Sequence, residues 1–130
     1  MKSVLGYLQG TVDYGIIYAN SSNVTLAVFT DSDWAGNVDD RRSITGYAFS
    51  LGSEVITWSN KKQNTVSFCS VEAEYQAMCA AMCEAVRLWR LLQDVGEEQI
   101  DATTIICDNQ SSIKLANNPL FHKNTKHIDT

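Results

Sequence analysis

The 130-residue sequence predicts an α/β fold in which helices pack on a mixed β-sheet. Three observations lead to this fold class. Short β-favouring runs dominate the first half of the chain, one long segment of helical periodicity follows, and a further strand and helix come after it. Strands in hairpins followed by a strand–helix alternation favour a sheet with both antiparallel and parallel pairs.

The first half of the chain predicts one short helix and four strands. Residues 2–9 carry apolar side chains at helical spacing, and this helix is expected to end at Gly10. Four β-favouring runs bounded by turn residues are expected to form strands, at 15–19, 24–30, 44–51 and 54–59. The last two predict a hairpin around Gly52-Ser53, and the continuous apolar run at 26–29 indicates a strand covered on both faces.

The second half contains the clearest element, an amphipathic helix at 70–95 with Ser70 as its expected N-cap. Its predicted apolar stripe alternates steps of four and three residues, through Val71, Tyr75, Met78, Met82, Ala85, Trp89 and Leu92. Residues 103–107 predict a second buried strand and residues 111–117 a short helix. A polar tail follows at 119–130.

The composition argues against secreted and membrane classes of protein. The N-terminus lacks the apolar stretch of a signal peptide, and no run approaches the ~20 apolar residues that span a bilayer. We therefore expect an intracellular chain with no membrane partner. The four cysteines include no C-x-x-C pair, so a disulfide framework or a zinc site is not expected.

The charge balance restricts the kind of nucleic-acid partner. Fifteen acids against ten bases give a net charge of −5, which argues against a module that holds nucleic acid by bulk electrostatics. A nuclease whose acids surround metal ions is the exception, because bound cations invert the local field. The positions of the acids therefore matter more than their sum.

Two carboxylates directly follow predicted buried strands, Asp31 after 24–30 and Asp108 after 103–107. Ligands collect beyond the carboxyl ends of strands in open α/β sheets, so the two acids lie side by side if their strands are parallel neighbours. In the long helix, at about 100° per residue, Glu74 lies roughly 50° from the centre of the apolar stripe. We therefore expect Glu74 to lean toward the sheet edge at which the two aspartates stand.

Three converging carboxylates repel one another and lose hydration, so a divalent cation with oxygen ligands is their natural partner. Such a cluster suits a pair of Mg²⁺ ions about 4 Å apart. Simpler roles remain open for each acid: Asp108 as the cap of the next helix, Asp31 as a turn residue and Glu74 as a solvated acid. Glu72 lies more than about 90° from the stripe and ranks below Glu74.

Five sequence segments resemble motifs of a known protein family. They are FTDSDWAG at 29–36, DRRSITGY at 40–47, SVEAEY at 70–75, CDNQSS at 107–112 and NNPLFHKNTKHID at 117–129. In the same order, these segments closely resemble the ribonuclease H domain of copia-type retrotransposon Pol polyproteins. The resemblance covers the whole chain.

The resemblance implies a ribonuclease H-like fold, a five-stranded mixed sheet with flanking helices. It implies an endoribonuclease that cleaves the RNA strand of RNA–DNA hybrids during reverse transcription, by two-metal-ion hydrolysis with Mg²⁺ or Mn²⁺. The catalytic acids and metal ligands of that family match Asp31, Glu74 and Asp108, ahead of Asp33 and Glu72. A cytoplasmic particle or the nucleus is the expected location.

The resemblance also implies a domain organisation. Residues 1–14 are similar to the end of a reverse transcriptase connection segment, and residues 15–130 to a ribonuclease H-like domain that lacks its last strand and helix. The reverse transcriptase domain of the same polyprotein is the expected protein partner. The missing helix would carry a fourth acid, so the chain alone is expected to be weak or inactive on an RNA–DNA hybrid.

Six residues are candidates for contact with the hybrid: Arg41, Arg42, Lys61, Lys62, Asn109 and Gln110. The two pairs of bases lie at strand margins, where they can bind phosphates or simply solubilise a loop. Asn109 and Gln110 can reach sugar hydroxyls, which distinguish RNA from DNA. His122 and His127 in the polar tail have no assigned role.

Two other hypotheses remain. A catalytically inactive retrotransposon remnant would keep the fold and at most weak nucleic-acid binding. An integrase-like member of the same superfamily would end its acid triad in a glutamate, whereas here the order runs from Glu74 to Asp108. We rank the integrase-like hypothesis below the other two.

Overall fold

The described residues of the computed structural model are 2–18, 25–36 and 39–118. They form seven elements, which are α1 (Lys2–Gly10), β1 (Leu26–Asp33), β2 (Ile44–Leu51), β3 (Glu54–Lys62), α2 (Ser70–Asp94), β4 (Thr104–Cys107) and α3 (Gln110–Asn117). The α/β class predicted from the sequence is confirmed. The polar tail at 119–130, with both histidines, lies outside the described residues. Within those ranges, no helix combines the length and apolar character needed to cross a membrane.

The strands form one mixed sheet in the order β3-β2-β1-β4. β1 pairs antiparallel with β2, and β2 with β3, which confirms the predicted hairpin. β1 and β4 are parallel neighbours, with Thr30 opposite Cys107. This pairing brings the carboxyl ends of β1 and β4 to the same edge of the sheet, as the sequence required for a site between them.

The helix α2 covers one face of the sheet. Its buried residues include alanines at every fourth position, Ala73, Ala77, Ala81 and Ala85, followed by Leu88 and Leu92. The C-terminal part of this face, from Ala81 to Leu92, packs against Leu26, Val28 and Phe49 in the hydrophobic core. Because alanine side chains are short, the helix approaches the strands closely.

The predicted stripe of α2 is wrong in part, because the buried face is rotated toward the alanines. Met78, Ala85 and Leu92 are buried as expected, but Met82 is 45% exposed and Trp89 37% exposed. The large apolar residues had defined the predicted stripe, whereas close packing selects the small ones. Ser70 is also not the N-cap, which is Cys69, without a side-chain capping hydrogen bond.

Two strand predictions are also wrong. Residues 15–18 form no strand, because Ile16 and Ile17 are exposed and no described strand pairs with them; residues 19–24 lie outside the described residues. β1 is not covered on both faces within the described residues, since Phe29 on the face away from α2 is 52% exposed. Apolar content alone did not distinguish a strand with one covered face from a strand with two.

Candidate metal centre

Three elements meet at one edge of the sheet. β1 and β4 end there, and the first turns of α2 lie beside them. Asp108 directly follows β4, as predicted, but β1 extends through Asp33, so Asp31 lies inside the strand rather than after it. Asp31 is opposite Gly46 of β2, and its side chain is exposed.

A buried polar network fixes the first turns of α2 against the sheet. The Gln63 side-chain amide donates to Thr45 Oγ1 at 2.9 Å and to the carbonyl oxygen of Ala73 at 3.0 Å. The Ser67 hydroxyl donates to Gln63 Oε1 at 2.9 Å. Because Ala73 precedes Glu74 in α2, these bonds set the position from which Glu74 reaches the sheet edge. No pattern in the sequence distinguishes Gln63 as a residue that positions the site.

Glu74 is the buried acid of the site, with 6% of its surface exposed. Its Oε1 accepts a hydrogen bond of 3.1 Å from the main-chain N–H of Ser32 in β1. Burial raises the pKa of Glu74 above its usual range, the hydrogen bonds from Ser32 oppose this rise, and the charges of Asp31 and Asp108 add to it. The Glu74 carboxylate therefore lies in a negative potential that a cation would relieve.

Cys107 joins two of the predicted acids. Ligand atoms of Glu74, Cys107 and Asp108 all lie within 4.8 Å of one another, and Cys107 Sγ is 3.9 Å from Glu74 Oε2. Asp31 does not belong to this closest group, although its charge acts on Glu74. From its sequence context, Cys107 was expected to be only a free thiol in an apolar strand and not a site residue. Its position next to Asp108 at the strand end was the available signal.

Glu72, the alternative acid on α2, has a local structural contact instead. It is buried, contrary to the predicted orientation, and its Oε2 accepts a 2.8 Å hydrogen bond from the main-chain N–H of Phe68. This bond satisfies a donor just ahead of the helix. Glu72 is not part of the group formed by Glu74, Cys107 and Asp108.

The residues after Asp108 begin α3. Asn109 is its N-cap, and its Oδ1 accepts hydrogen bonds from the main-chain N–H groups of Ser111 at 3.0 Å and Ser112 at 3.1 Å. The simpler prediction, that Asp108 caps this helix, is therefore wrong. The Asn109 oxygen is already engaged, while Gln110 is exposed.

The four candidate bases lie at the same end of the sheet as the acids. In β2 and β3, Ile44 is opposite Lys62 and Thr45 opposite Lys61, and Arg41 and Arg42 lie just before β2. The exposed Asp40 contacts two of them, Lys62 Nζ at 3.1 Å and Arg42 Nε at 3.9 Å. The hydrogen bond from the Arg42 main-chain N–H, followed by the contact with Lys62, holds the pKa of Asp40 below its usual range.

Comparison with known proteins shows similarity to transposon polyproteins over nearly the whole chain. The retrovirus-related Pol polyprotein from transposon RE2 of Arabidopsis thaliana is 40% identical over 128 residues, which are 98% of this chain and 9% of that protein. The retrovirus-related Pol polyprotein from transposon TNT 1-94 of Nicotiana tabacum is 39% identical over 129 residues, which are 99% of this chain and 10% of that protein.

A shorter match is to the secreted RxLR effector protein 161 of Plasmopara viticola, 44% identical over 88 residues, which are 68% of this chain and 62% of that protein. No protein-family profile and no solved structure matches the chain. The chain spans about a tenth of the length of the Pol polyproteins that it matches. These matches confirm the resemblance to retrotransposon Pol polyproteins, but they do not name a domain within them.

Proposed function

We propose that this chain is the ribonuclease H-type segment of a retrotransposon Pol polyprotein and that it cleaves the RNA strand of an RNA–DNA hybrid during reverse transcription. The reverse transcriptase of the same polyprotein would supply that hybrid. The observation that carries the proposal is that Glu74 and Asp108 offer ligand atoms within 4.8 Å of each other at the end of parallel strands, with Asp31 near enough for its charge to act on Glu74. Similarity to Pol polyproteins over 98% of the chain supports it.

The donor set fits hard divalent cations. Glu74 and Asp108 offer carboxylate oxygens within 4.8 Å of each other, the charge of Asp31 acts on Glu74, and both aspartates are solvent-exposed. Mg²⁺ takes a few carboxylates and keeps several waters, which an exposed cluster allows. Asp31, Glu74 and Asp108 are the residues that would hold two such ions. When bound, the ions would supply Lewis-acid activation of the attacking water and stabilisation of the leaving 3′ oxygen.

The chain itself contributes orientation and charge. The Ser32 N–H holds one Glu74 oxygen, so the other oxygen is directed toward Cys107 and Asp108. The Gln63 network keeps α2 at the distance that makes this contact. A fixed carboxylate loses little freedom when a cation binds, which favours affinity.

The bases at the same end of the sheet provide the contact with substrate in this proposal. Within the described residues, Arg41 and Lys61 form no ion pair, so their charges are available to phosphates. Arg42 and Lys62 share Asp40, and a hybrid backbone would compete with that exposed carboxylate for them. The exposed Gln110 and the amide nitrogen of Asn109 are the groups proposed to contact the RNA ribose.

The test is cleavage of a labelled RNA–DNA hybrid in Mg²⁺ or Mn²⁺, with single-stranded RNA and DNA duplex as other substrates. Asp108→Asn should reduce cleavage of the hybrid by roughly a hundredfold or more, because one carboxylate of the centre is lost. Asp101→Asn is the matched control, since Asp101 is an exposed acid near the opposite end of β4. Equal cleavage by the two variants, or no cleavage of the hybrid in either metal by a chain extended through the last strand and helix that the resemblance implies, would overturn the proposal.

A further inference from the structure

Cys107 gives the proposed metal centre a sulfur atom that Mg²⁺ chemistry does not use. Its thiol is half-buried, 3.9 Å from one Glu74 oxygen, and within 4.8 Å of the nearest Asp108 oxygen. Hard cations such as Mg²⁺ select oxygen ligands, whereas Zn²⁺ and Cd²⁺ accept thiolate together with carboxylate. Glu74 and Asp108 can therefore serve as oxygen ligands of a hard cation, and the same two residues together with Cys107 can serve as ligands of a thiophilic cation.

The distances suit a thiophilic ion. With Zn–S at about 2.3 Å and Zn–O at about 2.1 Å, a tetrahedral angle places the sulfur and oxygen ligands about 3.6 Å apart. The separation of Cys107 Sγ and Glu74 Oε2, at 3.9 Å, is only slightly longer. Side-chain rotation of the exposed Asp108 can close the remaining distance, so the strands need not move.

We propose that Zn²⁺ and similar thiophilic cations bind at Glu74, Cys107 and Asp108 and exclude Mg²⁺ from the proposed centre. On binding, the Cys107 S–H bond breaks, its proton passes to solvent and a metal–sulfur bond forms. Water completes the coordination of the ion. The inference depends on the proposed function only in its last step, because it assigns a means of inhibition to that centre.

The experiment uses Cd²⁺ as the probe, because thiolate bound to Cd²⁺ gives an ultraviolet charge-transfer band. The titration is done in a Cys79→Ser, Cys83→Ser background, since those two thiols lie four residues apart on α2 and offer a second sulfur pair. Adding Cys107→Ser should remove the band and weaken Cd²⁺ binding by at least about tenfold. Adding Cys69→Ser, an exposed thiol outside the group, should leave the band unchanged.

A second variant separates a metal site from a lone reactive thiol. Glu74→Gln keeps Cys107 but removes a carboxylate ligand, so Cd²⁺ should bind more weakly while the band persists at saturation. A band that remains after Cys107→Ser, or Cd²⁺ affinity that is unchanged in Glu74→Gln, would overturn the inference.

Thermal melting with Mg²⁺ distinguishes failure of the thiophilic-site inference from failure of the proposed function. A cation that binds only the folded chain raises its melting temperature. If Mg²⁺ raises it and Cys107→Ser retains both that rise and the Cd²⁺ band, the inference alone fails. If Cd²⁺ binds through Cys107 but Mg²⁺ never raises the melting temperature, the thiophilic site stands and the Mg²⁺ centre fails. When saturating Zn²⁺ is already present, adding Mg²⁺ should not raise the melting temperature of the parent chain any further. In Cys107→Ser, adding Mg²⁺ should still raise it.

Discussion

At the residue scale, Glu74 is held in an environment that disfavours its charge. It is buried, and two further carboxylates act on it, while hydrogen bonding from Ser32 is the main compensation. A buried carboxylate of this kind costs folding free energy unless a cation is bound. Cation binding at the proposed centre is therefore expected to increase the free energy of unfolding of the chain.

This preference gives a pH dependence with a definite sign. The pKa of Glu74 is raised in the folded chain, so its favourable contribution is complete below the unfolded pKa and is lost as pH rises through the folded pKa. In a chelator, Glu74→Gln should thus be more stable than the parent at neutral pH, and the difference should shrink as the pH falls toward 4. Urea unfolding of both proteins across this range measures it.

Saturating Mg²⁺ should reverse the order, because only the parent keeps the carboxylate ligand. Glu72→Gln is a useful comparison: it should lose stability through its contact with Phe68 and still respond to Mg²⁺. Parent and Glu74→Gln curves that coincide at every pH would contradict the assigned environment of Glu74.

At the element scale, the sequence located most helices and strands but not their orientation. Long periodic segments such as α2 and the β2–β3 hairpin have strong local signals, and their bounds agree with the structure within a few residues. The strand predicted at 15–19 does not form at residues 15–18, because a strand requires a pairing partner that local propensity does not reveal. The rotation of α2 was missed because alanines contribute little to a hydrophobic pattern.

The same limits apply to the candidate site. Asp31, Glu74 and Asp108 could be selected because carboxylates after strands and near a helix N-terminus have a recognisable chemistry. Cys107 and Gln63 could not, since their roles depend on distances between elements remote in the chain. The convergence of the acids on a bound metal remains a prediction.

The alanine face of α2 gives a test of its orientation. Ala81 is fully buried in the core cluster, whereas its neighbour Met82 is exposed. Ala81→Leu should destabilise the chain by about 1–3 kcal/mol through overpacking. Met82→Gln should change stability by less than about 0.5 kcal/mol. Thermal or urea unfolding measures both, and a larger cost at Met82 would restore the stripe predicted from the sequence.

At the scale of the whole molecule, four of the ten bases lie at the same end of the sheet as the candidate metal-binding acids. A chain of net charge −5 places its three candidate metal-binding acids and its two pairs of adjacent bases at one end of the sheet. A polyanionic substrate that approaches this end of the sheet would meet these bases and any bound cations, which favour its docking there. The arrangement explains why the overall acidity is compatible with the proposed hybrid substrate.

The parallel pairing of β1 and β4 also has a consequence for the order of folding. The hairpin and all of α2 lie between these two strands in the chain, so their contact closes a long loop and carries a high entropic cost. The cluster of acids exists only after that closure. A cation therefore finds few ligands in partly folded states, and we expect Mg²⁺ to slow unfolding while leaving the refolding rate nearly unchanged. Stopped-flow kinetics with and without Mg²⁺ would show a shift in the unfolding limb alone; acceleration of refolding would mean that the two strands pair early.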